Sequence, residues 1–505
     1  MVAAHLWRLS DQWQRSASDQ HASGFSGGSA TILLGPAHAC RFSIVPPAAA
    51  PVTRRNTIVR FVAVAALACV SMSPAAHAQS ILRDAETETL LADMTAPLVT
   101  AAGLRPSDVK VVLINDDSIN AFVAGGQIVY VHSGTIQAAK TANEVQGVIA
   151  HELGHITGGH VSLAGRGAQE ATGISILSMV LGLAAMAAGA GEAGAGVLAA
   201  GQQAAMTKYL AFSRQQEAST DAAGAKYLNA AGITGKGYLN FFKTMQQQEY
   251  RYGITRKVEY MLSHPVSSER VAAISETLQS APAWNKPLNQ DWEERFKRVQ
   301  AKLDGYLLPP AQALQKYPEG TQTVYAHYAR AYAYHRSGYP QKAEAETEAL
   351  VASKPSDPYF LEIKGQILLE AGKPQEALAP LRAATEGSRN SPLIATTFGH
   401  ALIATENKAN YDEAKRVLRS AVARDDQNPF AWYQLGTVYE RTGDPARAAL
   451  ATAERASMVG DHRTAAVSAR YALAGIPQNT PDWIRAQDIA MTSANSIDGD
   501  KRKRK

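Results

Sequence analysis

Hydrophobic and polar positions along this chain change period several times, and each period predicts a different element. Ile81–Ala102 carries apolar residues at helical spacing and reads as a first amphipathic helix. Val109–Ile114 is a mainly apolar run between Pro106 and Asn115-Asp116-Asp117, which suits a buried strand. Ala121–Val131 is a second such run, broken at Gly125-Gly126, where glycines mark a bulge or a close backbone approach. Two placements stay open for it: an edge strand that receives an extended peptide by β-augmentation, or a plain hairpin turning at the glycines. Val145, Val148, Ile149, Leu153 and Ile156 return to helical spacing. Polar positions then nearly vanish across Gly173–Gly201, and Ile174–Ala190 holds seventeen residues without a charge. That approaches the roughly 20 residues a spanning helix needs, but its glycines and alanines make it weakly hydrophobic. A lid over a neighbouring site, with surface contact to a membrane, is expected there rather than a membrane-dipping segment.

Downstream the pattern repeats. Ala343, Ala377, Ala414 and Ala448 recur at intervals of 34, 37 and 34, and Pro358, Pro392 and Pro429 at 34 and 37. The three extra residues fall in Glu406–Asn410, a longer turn between paired helices. Trp432, Leu435, Gly436 and Tyr439 give the W-x2-L-G-x2-Y head of a tetratricopeptide repeat in the same register. Four repeats are expected between Thr323 and Val459, with a closing helix at Asp461–Leu473 and a linker helix at Asp291–Tyr306. Each helix pair cannot bury its apolar face alone, so neighbours stack into a solenoid. Tyr325, Tyr328, Tyr332 and Tyr334 partly fill its core.

Composition changes the picture mainly at the front. Residues 1–50 show no sustained periodicity. Arg54, Arg55 and Arg60 then precede the apolar run Phe61–Val70, and Ala76-His77-Ala78 precedes Gln79. A basic region, a short apolar core and a small–x–small site make a cleavable export signal. The expected map is therefore a mis-assigned extension over 1–51 with the true start near Val52, a signal over 52–78 ending at Ala78, and a mature chain from Gln79. A twin-arginine reading of Arg54-Arg55 and a lipid anchor on Cys69 both fit the flanking residues less well. Cys40 and Cys69 are the only cysteines and precede the cut, so the mature chain has no disulfide or thiol chemistry. The cut also removes six arginines and two aspartates, which takes the net charge from +5 to +1. The remaining basic run, Lys501–Lys505, reads as a solvated tail, and nothing argues for nucleic acid.

Chemistry concentrates in His151-Glu152-Leu153-Gly154-His155, an HExxH motif on the helix marked by Val145–Ile156. Residues four apart share one helix face, so His151 and His155 can hold one metal, with Glu152 offset toward its water. Zinc hydrolases use three protein ligands and one open position, and a carboxylate takes the water's proton. The plainer reading is a helix with two solvated histidines; a matching third ligand downstream outweighs it. Leu210, Glu217, Asp221, Gly224 and Leu228 share a face. Carboxylates on a core-facing stripe are costly unless paired or metal-bound. Glu217 as ligand and Asp221 as its supporting partner remove that cost, whereas two solvated carboxylates are the bland alternative. His160, nine residues after His151, reads as a helix-end residue.

The HExxH motif, Ser213-Arg214, Glu217-x-x-x-Asp221, and Ser263-His264-Pro265 with Arg270 together resemble the HtpX/CAAX-prenyl-protease superfamily of gluzincin metallopeptidases. Asn120-Ala121-Phe122 with Gly125-Gly126 is similar to that family's substrate-strand signature, although Ala124 stands where many relatives have Pro and Thr220 where they have Ala. The resemblance covers residues 80–280. It implies that His151, His155 and Glu217 bind one zinc ion per chain, that Glu152 is the general base, and that Asp221 orients a ligand. For His264 it implies a regulatory fourth ligand that displaces the water; a turn residue before a helix over Val266–Leu278 is the bland alternative.

The expected architecture is mainly α: a zincin-type α+β metallopeptidase domain over 79–284, a linker helix over 285–322, a solenoid of tetratricopeptide repeats over 323–475 and a tail over 476–505. A zincin domain fused to repeats behind an export signal resembles the exported, repeat-bearing members of that superfamily. It implies a periplasmic zinc endopeptidase for protein quality control. The repeats would dock unfolded or misassembled outer-membrane proteins or the β-barrel assembly machinery, with peripheral membrane contact through 173–201. A largely non-proteolytic scaffold or chaperone and a narrow processing protease are the alternatives.

Overall fold

The computed structural model describes residues 80–187, 191–252, 264 and 267–503. The extension, the signal, Cys40, Cys69 and the end of the basic tail lie outside the described residues. The chain is mainly α, as its periodicities predict. A short strand β1 (Ser80–Leu82) leads into α1 (Ala85–Ala101), so the first helix starts four residues later than its apolar pattern suggests. Asp84 caps it by accepting from the Thr87 amide. Three more strands follow: β2 (Lys110–Asn115), β3 (Ala121–Ala124) and β4 (Ile128–His132). They form one sheet in the order β1-β2-β4-β3. β2 and β4 run parallel, with Lys110 opposite Ile128, and β3 runs antiparallel to β4, with Ala124 opposite Ile128. Ala121–Val131 is therefore the plain hairpin, and it also supplies an edge strand. Gly125 and Gly126, at φ 62° and 98°, turn a hairpin, and its first strand is the sheet's edge.

After α2 (Ser133–Ala138), α3 (Ala142–Thr157) lies against β3 and β4. Thr141 caps α3 at the Glu144 amide, while the Glu144 carboxylate accepts from the Lys140 amide at 2.8 Å. α3 ends at Gly158-Gly159, where Gly159 adopts φ 65°. α4 (His160–Ala187) and α5 (Gly191–Ala230) form a long helical hairpin, followed by α6 (Lys236–Tyr252) and α7 (Ser268–Gln279). α7 is capped by Ser267, later than the expected start at Val266, which is outside the described residues together with Pro265. At about 1.5 Å per residue, the start of α5 lies about 40 Å from Glu217. The hairpin tip is therefore too far out to be the expected lid. Among the described residues, no helix is long and apolar enough to cross a membrane. One core, built from α1, β2, β4, α3, α5 and α6, includes Met94, Val129, Val148, Leu153, Leu228 and Phe242.

The expected linker is two helices, α8 (Gln290–Leu307) and α9 (Pro310–Lys316), and α8 belongs to both halves of the molecule. Its Phe296, Val299 and Leu303 enter the core just described. Its Arg298 and Lys302 are buried against acidic groups at the start of α1 and on the repeats. Arg298 pairs with Glu86 at 2.7 Å and with Asp357 at 2.8 Å, and Lys302 pairs with Asp84. The Tyr328 hydroxyl donates to Glu86 at 2.6 Å. Arg83 reaches Asp425 at 2.9 Å, across 342 residues of sequence.

The repeats fold as the period requires: α10 (Val324–Arg336) with α11 (Pro340–Ser353), α12 (Pro358–Glu370) with α13 (Pro374–Gly387), α14 (Pro392–Ala404) with α15 (Tyr411–Arg424), and α16 (Pro429–Arg441) with α17 (Pro445–Met458). Gly338, Gly372 and Gly443 turn three of these pairs at φ 76–80°. In the third pair the inserted residues bring Glu406 to φ 55° and form a 3-10 turn at Lys408–Asn410. Tyr328, Tyr332 and Tyr334 are core, and Tyr325 is half-buried. The closing helix α18 (His462–Gly475) has a partner of its own. α19 (Pro481–Lys503), in the expected tail, packs Ala486 and Ile489 into the last apolar cluster.

Candidate metal centre

α3 and α5 cross closely because glycines remove Cβ atoms where they meet. A Cβ on Gly154 would come 2.8 Å from Thr220 Cγ2 and 2.9 Å from the Thr220 carbonyl, and one on Gly224 would come 3.2 Å from the Ala150 backbone. This crossing sets His151 and His155 of α3 against Glu217 and Asp221 of α5. Thr220, which departs from the family pattern, is accommodated under Gly154.

Four side chains converge: one ligand atom from each of His151, His155, Glu217 and His264, all within 4.8 Å of one another. His151 Nε2 lies 3.2 Å from His155 Nε2, 3.4 Å from Glu217 Oε2 and 3.3 Å from His264 Nδ1. His155 Nε2 lies 3.5 Å from Glu217 Oε1, and His264 Nδ1 lies 3.0 Å from that oxygen. Donors about 2.0–2.1 Å from a tetrahedral metal are about 3.4 Å apart, so the group fits one ion. Glu152 is 0 % exposed, and among the described residues neither of its carboxylate oxygens has a hydrogen-bond partner. His264 Nε2 faces Glu152 Oε1 at 3.6 Å.

The surroundings hold this group in place. Asp221 accepts from Arg270 Nε at 2.7 Å and Nη2 at 2.8 Å, and from the Tyr238 hydroxyl at 2.9 Å. Its other neighbour is His151 Nδ1, at 3.0 Å. Arg270 also reaches Glu217 Oε2 at 3.0 Å. Burial would raise the Glu217 carboxyl, but His151, His155 and His264 hold it far below the usual carboxylate range. Burial likewise opposes charge on Asp221, and Arg270 and His151 outweigh it downward. Burial disfavours the His151 imidazolium, yet Asp221 and Glu217 push it up to about 9. A metal must displace that proton, because it binds the neutral ring. Burial lowers His155.

His151, Glu152, His155, Glu217, Asp221, His264 and Arg270 are thus brought to one place. Two further residues join them. Tyr238 of α6 bridges Asp221 and His151, with its hydroxyl 3.1 Å from His151 Nδ1. His160, expected as a mere helix end, places its Nδ1 3.0 Å from His155 Nδ1 and 3.1 Å from Thr220 Oγ1. The spacing of His160 from the HExxH motif was its one sequence signal; Tyr238 had none.

Comparison with known proteins agrees with this geometry. Residues 85–278 match the model of peptidase family M48, and residues 312–392 and 406–458 match that of the tetratricopeptide repeat. The beta-barrel assembly-enhancing protease of Yersinia pestis is 26 % identical over 299 residues, which cover 58 % of this chain and 60 % of that protein. Its namesake in Escherichia coli (strain K12) is 24 % identical over 366 residues, covering 72 % of this chain and 71 % of that one. Metalloprotease LoiP of the same strain is 30 % identical over 179 residues, 35 % of this chain and 64 % of its own. The chain thus carries a peptidase family M48 domain followed by tetratricopeptide repeats.

Proposed function

We propose that this protein is a zinc-dependent endopeptidase of the periplasm that degrades or matures misassembled outer-membrane proteins. The observation that carries the enzymatic part is the four-donor group at tetrahedral spacing beside the buried Glu152 carboxylate, which accepts no hydrogen bond among the described residues. His151, His155 and Glu217 would hold zinc, whose affinity for imidazole and carboxylate suits the donor set. When bound, zinc supplies polarisation of the attacking water and of the scissile carbonyl. Glu152 takes the water's proton and delivers it to the leaving amine. Asp221, fixed by Arg270 and Tyr238, holds His151 by its Nδ1 edge. The edge strand β3 offers unpaired backbone groups to an extended substrate beside α3. His264 would be a fourth donor to the ion, which would make this arrangement a resting one, with His264 swinging out to admit water and substrate.

The quality-control role draws on the two beta-barrel assembly-enhancing proteases, of which the match spans 60 % and 71 % of the length. The repeats would dock the client or its assembly machinery. Four protein donors also describe a purely structural metal site, which favours a second reading: a scaffold acting through its repeats.

The test is cleavage of an unfolded protein by the purified enzyme and by Glu152→Gln, with bound zinc counted in both. The proposal expects a loss of about 10²–10⁴-fold in the variant with zinc retained. Zinc in both with turnover in neither, even after His264→Ala, supports the scaffold. No zinc in either sinks the ligand set.

A further inference from the structure

The hairpin of α4 and α5 is arranged the wrong way round for water. Its seam is lined by small residues. A Cβ on Gly194 would meet the Gly182 carbonyl at 2.5 Å, and one on Gly201 would meet Ser178 at 1.9 Å. The bulky apolar side chains stand outside instead: Ile176, Leu177, Met179, Val180, Leu181 and Leu183 are each 51–61 % exposed. At about 100° per residue, these six positions span an arc of roughly 200°, the side of α4 turned away from its seam with α5. A groove for one peptide needs a single apolar stripe. An exposed apolar arc this wide is about twice the roughly 100° stripe that one partner element covers, and it suits surroundings that are apolar all round the outer face. Small residues inside and large ones outside is the packing that helices adopt among acyl chains, where burying bulky groups against each other gains nothing.

Charge divides in the same way. From Gly173 to Thr207 the one ionisable side chain is Glu192, in the first turn of α5, where the helix N-terminus favours an anion. In the sequence, cations enter at the base: Arg166 in α4 and Lys208 and Arg214 in α5, against the single acidic Glu170. Cationic positions below a tip whose one charge is Glu192 complement a layer of lipid phosphates over acyl chains. Length completes the match. Ile174–Ala187 rises about 21 Å, against about 15 Å for one leaflet of a core about 30 Å thick, so the segment fits one leaflet when tilted and is too short to cross.

We propose that the α4–α5 tip is a membrane-docking element that inserts into one leaflet of a phospholipid bilayer. α5 runs unbroken from Gly191 to Ala230 and carries Glu217 and Asp221, so lipid at one end is coupled to the metal group at the other. The inference stands whether or not that group hydrolyses anything.

Flotation of the purified protein with vesicles tests it, using phosphatidylcholine alone and phosphatidylcholine with phosphatidylglycerol. The protein is expected to float with both, and more with the anionic mixture. Leu177→Glu with Leu181→Glu is expected to cut the floated fraction about tenfold, while zinc content and thermal unfolding stay as in the parent. Val180→Trp gives a second readout: its emission shifts to the blue when vesicles are added. A parent that stays in the aqueous fraction, a double variant that floats as well as the parent, or an unmoved Val180→Trp emission each overturns the proposal. Capture of an unfolded apolar polypeptide instead of vesicles, lost in the double variant, would make the tip a client-binding surface.

Discussion

The Tyr238 hydroxyl connects two groups that the mechanism needs in fixed orientation, Asp221 and His151. Removing it as Tyr238→Phe keeps the ring in the core and deletes one donor to Asp221. Metal affinity is expected to fall about 10–100-fold, measured by competition with a chelator. His264→Ala acts in the opposite direction on turnover. It removes one of the four converging donors and relieves Glu152 of its neighbour, so basal cleavage of an unfolded substrate is expected to rise; unchanged cleavage would count against the resting-state reading. Legibility at this scale followed distance along the chain. His151, Glu152 and His155 were readable because one helical turn fixes their relation. Glu217 and Asp221 were readable as carboxylates on a core-facing stripe. His264 came through resemblance, since nothing local in Ser263-His264-Pro265 says what its ring faces. Tyr238 was invisible because its role arises from packing α6 against α3 and α5.

The crossing of α3 and α5 depends on absent side chains. Gly154→Ala would drive a methyl into the Thr220 side chain and its backbone carbonyl. The clash is expected to cost about 1–3 kcal/mol, more than the roughly 1 kcal/mol that alanine gains over glycine in a helix. Gly196→Ala, in α5 with nothing within 4 Å of the added Cβ, has the gain without the clash. Thermal unfolding should therefore move down for the first and up for the second, and the reverse order would refute the close crossing. Among the elements, the repeats were the most legible, because a period of about 34 residues survives changes of individual residues. The start of α1 was misplaced because Ile81 and Leu82 continue an apolar helix pattern while pairing as a strand. α19 was hidden by its polar composition, although Trp483, Ala486 and Ile489 already stood three apart.

For the whole molecule, the decisive feature is the buried charge where α1, α8 and the first repeats meet. Burial pushes Glu362 up to about 7; Lys302 opposes the shift, and Asp84 and Glu86 add to it. A carboxyl raised above its ordinary 4.5 stabilises the fold below that value and loses the contribution as pH rises through 7. The melting temperature should therefore fall between pH 5 and pH 8, and Glu362→Gln should flatten that slope. A slope unchanged in the variant would place the dependence elsewhere. None of this was legible in the sequence, because its partners are scattered and their charges read individually as solvated faces. The separation has a consequence for the order in which the protein is made. Asp84 and Glu86 are made early, whereas the cations they face, Lys302 and Arg298, arrive roughly 200 residues afterwards. At ribosomal rates that delay is on the order of tens of seconds. Throughout it, Asp84 and Glu86 wait without the cations they face in the fold, and Arg83 waits longer still for Asp425 on the repeats.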